Sequence, residues 1–119
     1  MAQNNRAVGT KYEKCAEQFL KKQGIRIIVK NFRCRQGEID LIGIEDNCLI
    51  FIEVKYRATG NAGEPEEAVN IYKQKKICRV AEFFLYTNPG YSNHMIRYDV
   101  VAISGEEIRW YKSAFEHIG

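Results

Sequence analysis

Apolar residues at Tyr12, Cys15, Ala16, Phe19 and Leu20 follow the i, i+3, i+4, i+7, i+8 spacing of one helical face, and Gly24 supplies a stop. The pattern predicts a helix over 10–23. A short β-branched run at 25–30 predicts a strand. Segments 38–44 and 48–55 are dense in Ile, Leu and Val, and the turn residues Glu45, Asp46 and Asn47 join them, which predicts a β-hairpin. Residues 56–64 hold two glycines and little apolar content and read as a mobile loop. Pro65, followed by Glu66 and Glu67, predicts a helix start with acids at the positive end of the dipole. That helix runs towards Tyr86, burying Val69, Ile77, Val80, Ala81 and Phe84, and Asn88-Pro89-Gly90 ends it. Segments 95–103 and 108–112 predict a last hairpin across Ser104-Gly105-Glu106. The resulting order, α-β-β-β-α-β-β, is an α/β fold with a mixed central sheet flanked by helices.

The chain of 119 residues suits a single domain, 1–119, with 1–9 read as a flexible start. Its 45% hydrophobic and 28% charged residues are a globular mixture and exclude a disordered chain. No apolar run approaches the ~20 residues that span a bilayer. Residues 1–10 lack the apolar core of a signal peptide. The expectation is a soluble, cytoplasmic protein without a membrane partner. Cys15, Cys34, Cys48 and Cys78 are widely spaced, with no C-x-x-C and no adjacent His, which argues against a zinc site and for reduced thiols. Cys15, Cys48 and Cys78 sit in apolar segments as small hydrophobes.

The net charge of +3 is modest, but it is unevenly spread. Residues 18–37 carry six bases and no acid, and residues 68–81 carry four bases and no acid, whereas 38–67 hold eight acids and two bases. Basic stretches suit a polyanion and an acidic island suits a cation; a solvated surface explains either basic run taken alone.

The acidic island gains meaning from strand register. If Asp46 and Asn47 form a two-residue loop, Glu45 pairs with Cys48, which places Asp40 opposite Glu53 and Glu38 opposite Lys55. Opposed residues of antiparallel strands point to one face, and alternation puts Glu53 and Lys55 on that face too. Ile42, Ile44, Leu49 and Phe51 continue it, and the reverse face carries Ile39, Leu41, Ile50, Ile52 and Val54. A hairpin patterned for burial on both sides thus ends in a charge quartet. Like charges directly opposite cost ~0.2–1 kcal/mol, so Lys55, a metal ion or both must compensate. Two carboxylates and a backbone carbonyl suit Mg²⁺. Such an ion polarises a phosphate and acidifies a bound water, and Lys55 would orient the water or stabilise the developing charge. Glu13, at the edge of the first helix's apolar stripe, is placed to lean towards the sheet. The competing reading is a salt-bridged cluster of Asp40 and Glu53, or Glu38, with Lys55.

Asp40, followed by Glu53-Val54-Lys55 on the next strand, resembles the PD-(D/E)XK nuclease motif, with Ile39 where that motif often has Pro. More closely, Gly37-Glu38-Ile39-Asp40-Leu41-Ile42 and Phe51-Ile52-Glu53-Val54-Lys55-Tyr56-Arg57, together with Val69 and Lys73, resemble the small bacterial YraN-like proteins. These are similar to archaeal Holliday-junction resolvases and are classed as predicted endonucleases. The resemblance covers the chain from Gly9 to about the last hairpin. It implies a restriction-endonuclease-like core and metal-dependent hydrolysis of DNA phosphodiesters, junction or other branched DNA included. It further implies Asp40 and Glu53 as ligands of Mg²⁺ (or Mn²⁺), Lys55 as the catalytic lysine and Glu13 as the first-helix carboxylate that joins them. A homodimer follows from resolvase-like action on a two-fold junction. No small-molecule cofactor is implied.

Among the other charged residues, Lys73, Lys76 and Arg79 on the second helix and Arg57 after the motif are candidate phosphate contacts. Lys73 and Lys76 share one helix face and Lys75 and Arg79 another, so some of these are simply solvated. Asp99 alternates with apolar residues and reads as an ion-pair partner, with Arg97 a candidate. His94 and His117 are isolated and support no metal or catalytic role. Tyr91, Tyr98, Trp110 and Tyr111 read as core or interface. Two further readings stand beside the enzyme: a non-catalytic nucleic-acid-binding module on the same scaffold, and a charge cluster that only stabilises an interaction domain.

Overall fold

The computed structural model describes residues 5–57 and 69–119, with their side chains except those of 5–8 and 57. The order is α1 (Asn5–Lys22), β1 (Arg26–Cys34), β2 (Gly37–Glu45), β3 (Cys48–Arg57), α2 (Ile71–Thr87), one 3-10 turn (Pro89–Tyr91), β4 (Met95–Ser104) and β5 (Glu107–Phe115). The five strands form one sheet in chain order, with β3 and β4 parallel and all other neighbours antiparallel. This α/β arrangement, α-β-β-β-α-β-β around a mixed sheet, is the expected one and is consistent with a restriction-endonuclease-like fold. No helix among the described residues is long and apolar enough to cross a membrane.

Strand alternation gives each helix its own face of the sheet. Ala16 and Leu20 of α1 pack with Leu41, Ile50, Ile52, Val101 and Ile103, and Tyr12, Cys15 and Phe19 close the edge of that layer. Ile77, Cys78, Val80, Ala81 and Phe84 of α2 pack with Ile42, Ile44, Leu49, Phe51, Tyr98 and Val100. The apolar stripes read from both helices are therefore the stripes that are buried. The cysteines are free, Cys78 deep in the α2 layer.

Several boundaries differ from the pattern. The first helix begins at Asn5 rather than Thr10, because its opening turns extend past the buried stripe that periodicity detects. β1 runs to Cys34 rather than Lys30, its later positions paired with Ile39, Glu38 and Gly37 of β2. Tyr56 and Arg57 complete β3 instead of opening a loop; the remainder of that expected loop, and the helix start at Pro65-Glu66-Glu67, lie outside the described residues. The helix does not run on unbroken from there. Val69 turns into the core, and Asn70, with φ −72 and ψ 170, caps a helix that starts at Ile71.

The central hairpin has the expected register, from Glu45 opposite Cys48 to Leu41 opposite Ile52. Beyond Leu41 it departs. Asn31 of β1 adopts φ +53, and on either side of it Lys30 faces Leu41 and Phe32 faces Ile39. This break in alternation sends Phe32 and Ile39 to the α2 layer, where Phe32 meets Phe84 edge-on at 5.1 Å. Ile39 thus lies on the face opposite to the one strict alternation assigns. Gly37, with φ +147, lies so close to α2 that a Cβ there would stand 3.4 Å from Val80. The β1–β2 tip leans over α2, and β2 parts from β3 at the position where Asp40 begins.

Candidate active site

Where the ladder parts, the backbone N–H of Val54 needs another acceptor, and the Asp40 carboxylate supplies it: Val54 donates to Asp40 Oδ2 at 2.8 Å. This bond fixes Asp40 beside Glu53. Glu53 is buried at 5% exposure. Its Oε2 lies 3.6 Å from the ammonium of Lys55, on the same strand, and 3.4 Å from that of Lys73, which reaches in from α2. Lys73 is set in place by the helix cap, since the Asn70 side chain accepts from the Lys73 backbone N–H at 2.9 Å.

The electrostatics follow from a buried and a partly buried carboxyl held together. Burial raises the pKa of Asp40, the charge of Glu53 adds to the rise, and the protonated form donates to Glu53; the bond from Val54 and nearby Glu13 act in opposite senses, and Asp40 is pushed up to about 8. Glu13, on α1, is raised by burial, lowered by a hydrogen bond from the Asn31 side chain, and raised again by the charges of Glu38 and Glu53. A cavity of about 100 Å³ opens beside it, lined by Thr10, Glu13, Lys14, Glu17, Lys30, Asn31 and Leu41.

The expected quartet is thus partly redrawn. Asp40, Glu53 and Lys55 converge as the register implies. Glu38 does not meet Lys55: it pairs across to β1, where Arg33 Nε lies 3.1 Å from its Oε2. Lys73 takes the fourth place. Sequence reasoning counted Lys73 in the family resemblance and among phosphate contacts but not with the carboxylates; the available signal was Asn70-x-x-Lys73, a capping residue three positions ahead of a first-turn lysine. The two carboxylates are hard oxygen donors whose mutual repulsion a divalent cation would relieve, so the pair fits Mg²⁺. Among the described residues no three His, Cys, Asp or Glu side chains are assembled around one point for a metal ion, so Glu13 stands near the pair without completing a three-ligand group.

The remaining candidates separate by partner. Lys76 is exposed and lies over the Tyr72 ring, 5.1 Å from its centroid. Arg79 turns away from the site, with Nε 3.2 Å from Glu82 and a hydrogen bond to the Ile118 carbonyl. Arg57 ends β3, and its side chain lies outside those described. Asp99 is the ion-pair partner it was read to be. It receives both Nε and Nη2 of Arg97 at 2.9 Å, Trp110 Nε1 at 2.9 Å and the Ser113 N–H at 3.0 Å, filling the irregularity where β5 slips against β4. Tyr98 is buried in the core and hydrogen-bonded to His117, an exposed residue that also contacts Glu82. Two residues beside the site were not singled out: Tyr12, next to Glu13, and Tyr56, next to Lys55, stack with centroids 4.3 Å apart and planes 7° from parallel.

Comparison with known proteins places these observations. Residues 12–103 match the model of the family described as "Uncharacterised protein family UPF0102". The chain is similar to a UPF0102 protein of Lachnoclostridium phytofermentans, 41% identical over 116 residues that cover 98% of each chain. It is also similar to a UPF0102 protein of Aliivibrio fischeri, 43% identical over 115 residues and 94% of each chain, and to one of Clostridium perfringens, 39% identical over 121 residues, 97% of this chain and 98% of the relative. The matched residues contain the hairpin with Asp40, Glu53 and Lys55 and the helix with Lys73, and the chain belongs to the UPF0102 family.

Proposed function

We propose that this protein is a metal-dependent endonuclease that hydrolyses DNA phosphodiesters, with branched or junction DNA as the substrate class. The observation that carries the reading is the pairing of Asp40 with Glu53 at the parted end of the hairpin, with the Lys55 ammonium on the same carboxylate. Asp40 and Glu53 would hold Mg²⁺ or Mn²⁺, with Glu13 as the neighbouring carboxylate. Bound there, the ion would supply Lewis acidity towards a phosphate oxygen and acidify a water. Lys55 orients the attacking water and stabilises charge gathering on the phosphoryl oxygens. In the reaction the water oxygen bonds to phosphorus, the bond from phosphorus to one sugar oxygen breaks, and a proton from the water ends on that oxygen or in solvent. Lys73, Lys76 and Arg57 supply phosphate contacts that fix register without reading sequence. A two-fold dimer matches the two symmetric cuts of a four-way junction.

A second reading, a nucleic-acid-binding module without catalysis, draws support from the absence of a three-ligand group among the described residues and from the two ammonium groups already on Glu53. One experiment separates the two: a cleavage screen of branched and linear DNA with Mg²⁺ or Mn²⁺, for the parent and Lys55→Ala. The enzyme reading expects metal-dependent products from the parent and none from Lys55→Ala, with DNA and metal binding nearly unchanged, because Lys55 acts at the transition state. Equal cleavage by both makes Lys55 structural; binding without cleavage by the parent selects the module.

A further inference from the structure

Lys73 stands where a helix disfavours a cation. It is the third residue of α2, in the first turn, where the dipole presents its positive end and no acid is present to offset it. The cap nevertheless fixes its backbone, through the bond to Asn70, so that its side chain meets Glu53 at 3.4 Å. A local rule broken at a site calls for a gain elsewhere, and the gain is charge neutralisation. Asp40 and Glu53 offer at most two negative charges, and the ammonium groups of Lys55 and Lys73 supply two positive ones. The negative charge of the pair is thus already met or exceeded without metal. A divalent ion entering it leaves an excess of positive charge within a few ångströms, and one ammonium must withdraw. Lys55 is the less exposed, at 31%, and extends from the strand that carries Glu53. Lys73 is 41% exposed and reaches in from a separate element with solvent alongside.

We propose that Lys73 is a resident stand-in for the metal: its ammonium occupies the Glu53 carboxylate until a divalent ion arrives, is displaced by it, and is then free to meet the substrate phosphate. The inference rests on the metal-site reading above and adds to it an order of events. Metal entry would release a phosphate contact at the same place and time, so nucleic acid is gripped most tightly once the site is loaded.

The test is a Mn²⁺ titration followed by calorimetry, at fixed pH and salt and without nucleic acid, for the full chain and for Lys73→Met, Lys73→Arg and Lys75→Met. Lys75 is an exposed lysine on the same helix and controls for general charge removal. The proposal expects Lys73→Met to bind Mn²⁺ roughly five- to tenfold more tightly than the parent, Lys73→Arg to stay near the parent because its charge competes in the same way, and Lys75→Met to be unchanged. Binding by Lys73→Met where the parent binds weakly or not at all also supports it. Equal or weaker binding by Lys73→Met, with the parent binding, overturns the stand-in role and leaves the metal site standing. Equal tightening by Lys75→Met overturns it as well, since any lost charge would then do. No Mn²⁺ binding by any variant removes the metal site and the stand-in together. Should Lys73→Met fail to fold, Lys73→Gln takes its place, with the same outcomes required.

Discussion

Asp40 keeps its proton more tightly folded than unfolded, its pKa moving from 3.8 to about 8 through burial and the charge of Glu53. In metal-free protein the stability this group contributes is therefore complete below pH 3.8 and is lost as pH rises towards 8. One proton sets the slope at no more than about 1.4 kcal/mol per pH unit. Asp40→Asn keeps an oxygen for the Val54 N–H and abolishes the titration. Urea melts in EDTA should show the variant gaining steadily on the parent as pH rises from about 4 to about 8, and Mg²⁺ should restore the parent above the variant. Parallel pH profiles for the two proteins would contradict this. The ammonium groups lie on Glu53 rather than Asp40, so the substitution strands no buried lysine. Asp40, Glu53 and Lys55 were legible from sequence because a two-residue turn and strand alternation are arithmetic. Lys73 was not. A helix running from Pro65 sets Lys73 well inside the helix, whereas the cap at Asn70 sets it in the first turn beside Glu53, and cap placement depends on where Val69 finds its core.

Helix α2 illustrates how one charged stretch divides among tasks. Its inner stripe is core, as the apolar spacing predicts, but its four cations do not share a partner. Lys73 faces Glu53, Lys76 lies over Tyr72, Lys75 is exposed and Arg79 is committed to Glu82 and the Ile118 carbonyl. DNA affinity should fall steeply with salt, and replacing Lys73 and Lys76 together with Ala should flatten the log–log slope by about two at most. Arg79→Ala should leave that slope unchanged, because its guanidinium is already spoken for. Filter binding or fluorescence anisotropy across a salt series reads both; a slope untouched by the double substitution would take this face of α2 out of the interface. Strand faces show the complementary limit of pattern reading. Ile42, Ile44, Leu49 and Phe51 fall where alternation sends them, and Ile39 does not: both strands change face between the Lys30–Leu41 and Phe32–Ile39 pairs, beside the left-handed Asn31. Periodicity within one segment does not mark where paired strands change face. Asn tolerates such a φ better than most residues, but nothing in the flanking pattern marks this one as using it.

The whole molecule was read correctly in order and class, since α-β-β-β-α-β-β follows from alternating periodicities, while the sheet's strand order and the parallel β3–β4 pair needed the structure. That single parallel pair has a kinetic consequence. Asp40 and Val54 are 14 residues apart, so the hairpin that unites the two carboxylates closes a short loop, while β4 joins β3 only after the chain has passed through α2. Local contacts form ahead of those with large sequence separation. The expectation is therefore that the hairpin holding Asp40 and Glu53 belongs to the folding nucleus and that the parallel seam is completed late. Chevron measurements can locate this division: Ile50→Val, within the hairpin, should lower the folding rate, whereas Val101→Ala, on β4, should chiefly raise the unfolding rate. The reverse assignment would place the nucleus at the seam. With the hairpin first, Asp40 and Glu53 would meet before the helix that brings Lys73 has docked, and on the proposed stand-in role a divalent ion present during folding would find the pair with its ammonium competitor still absent.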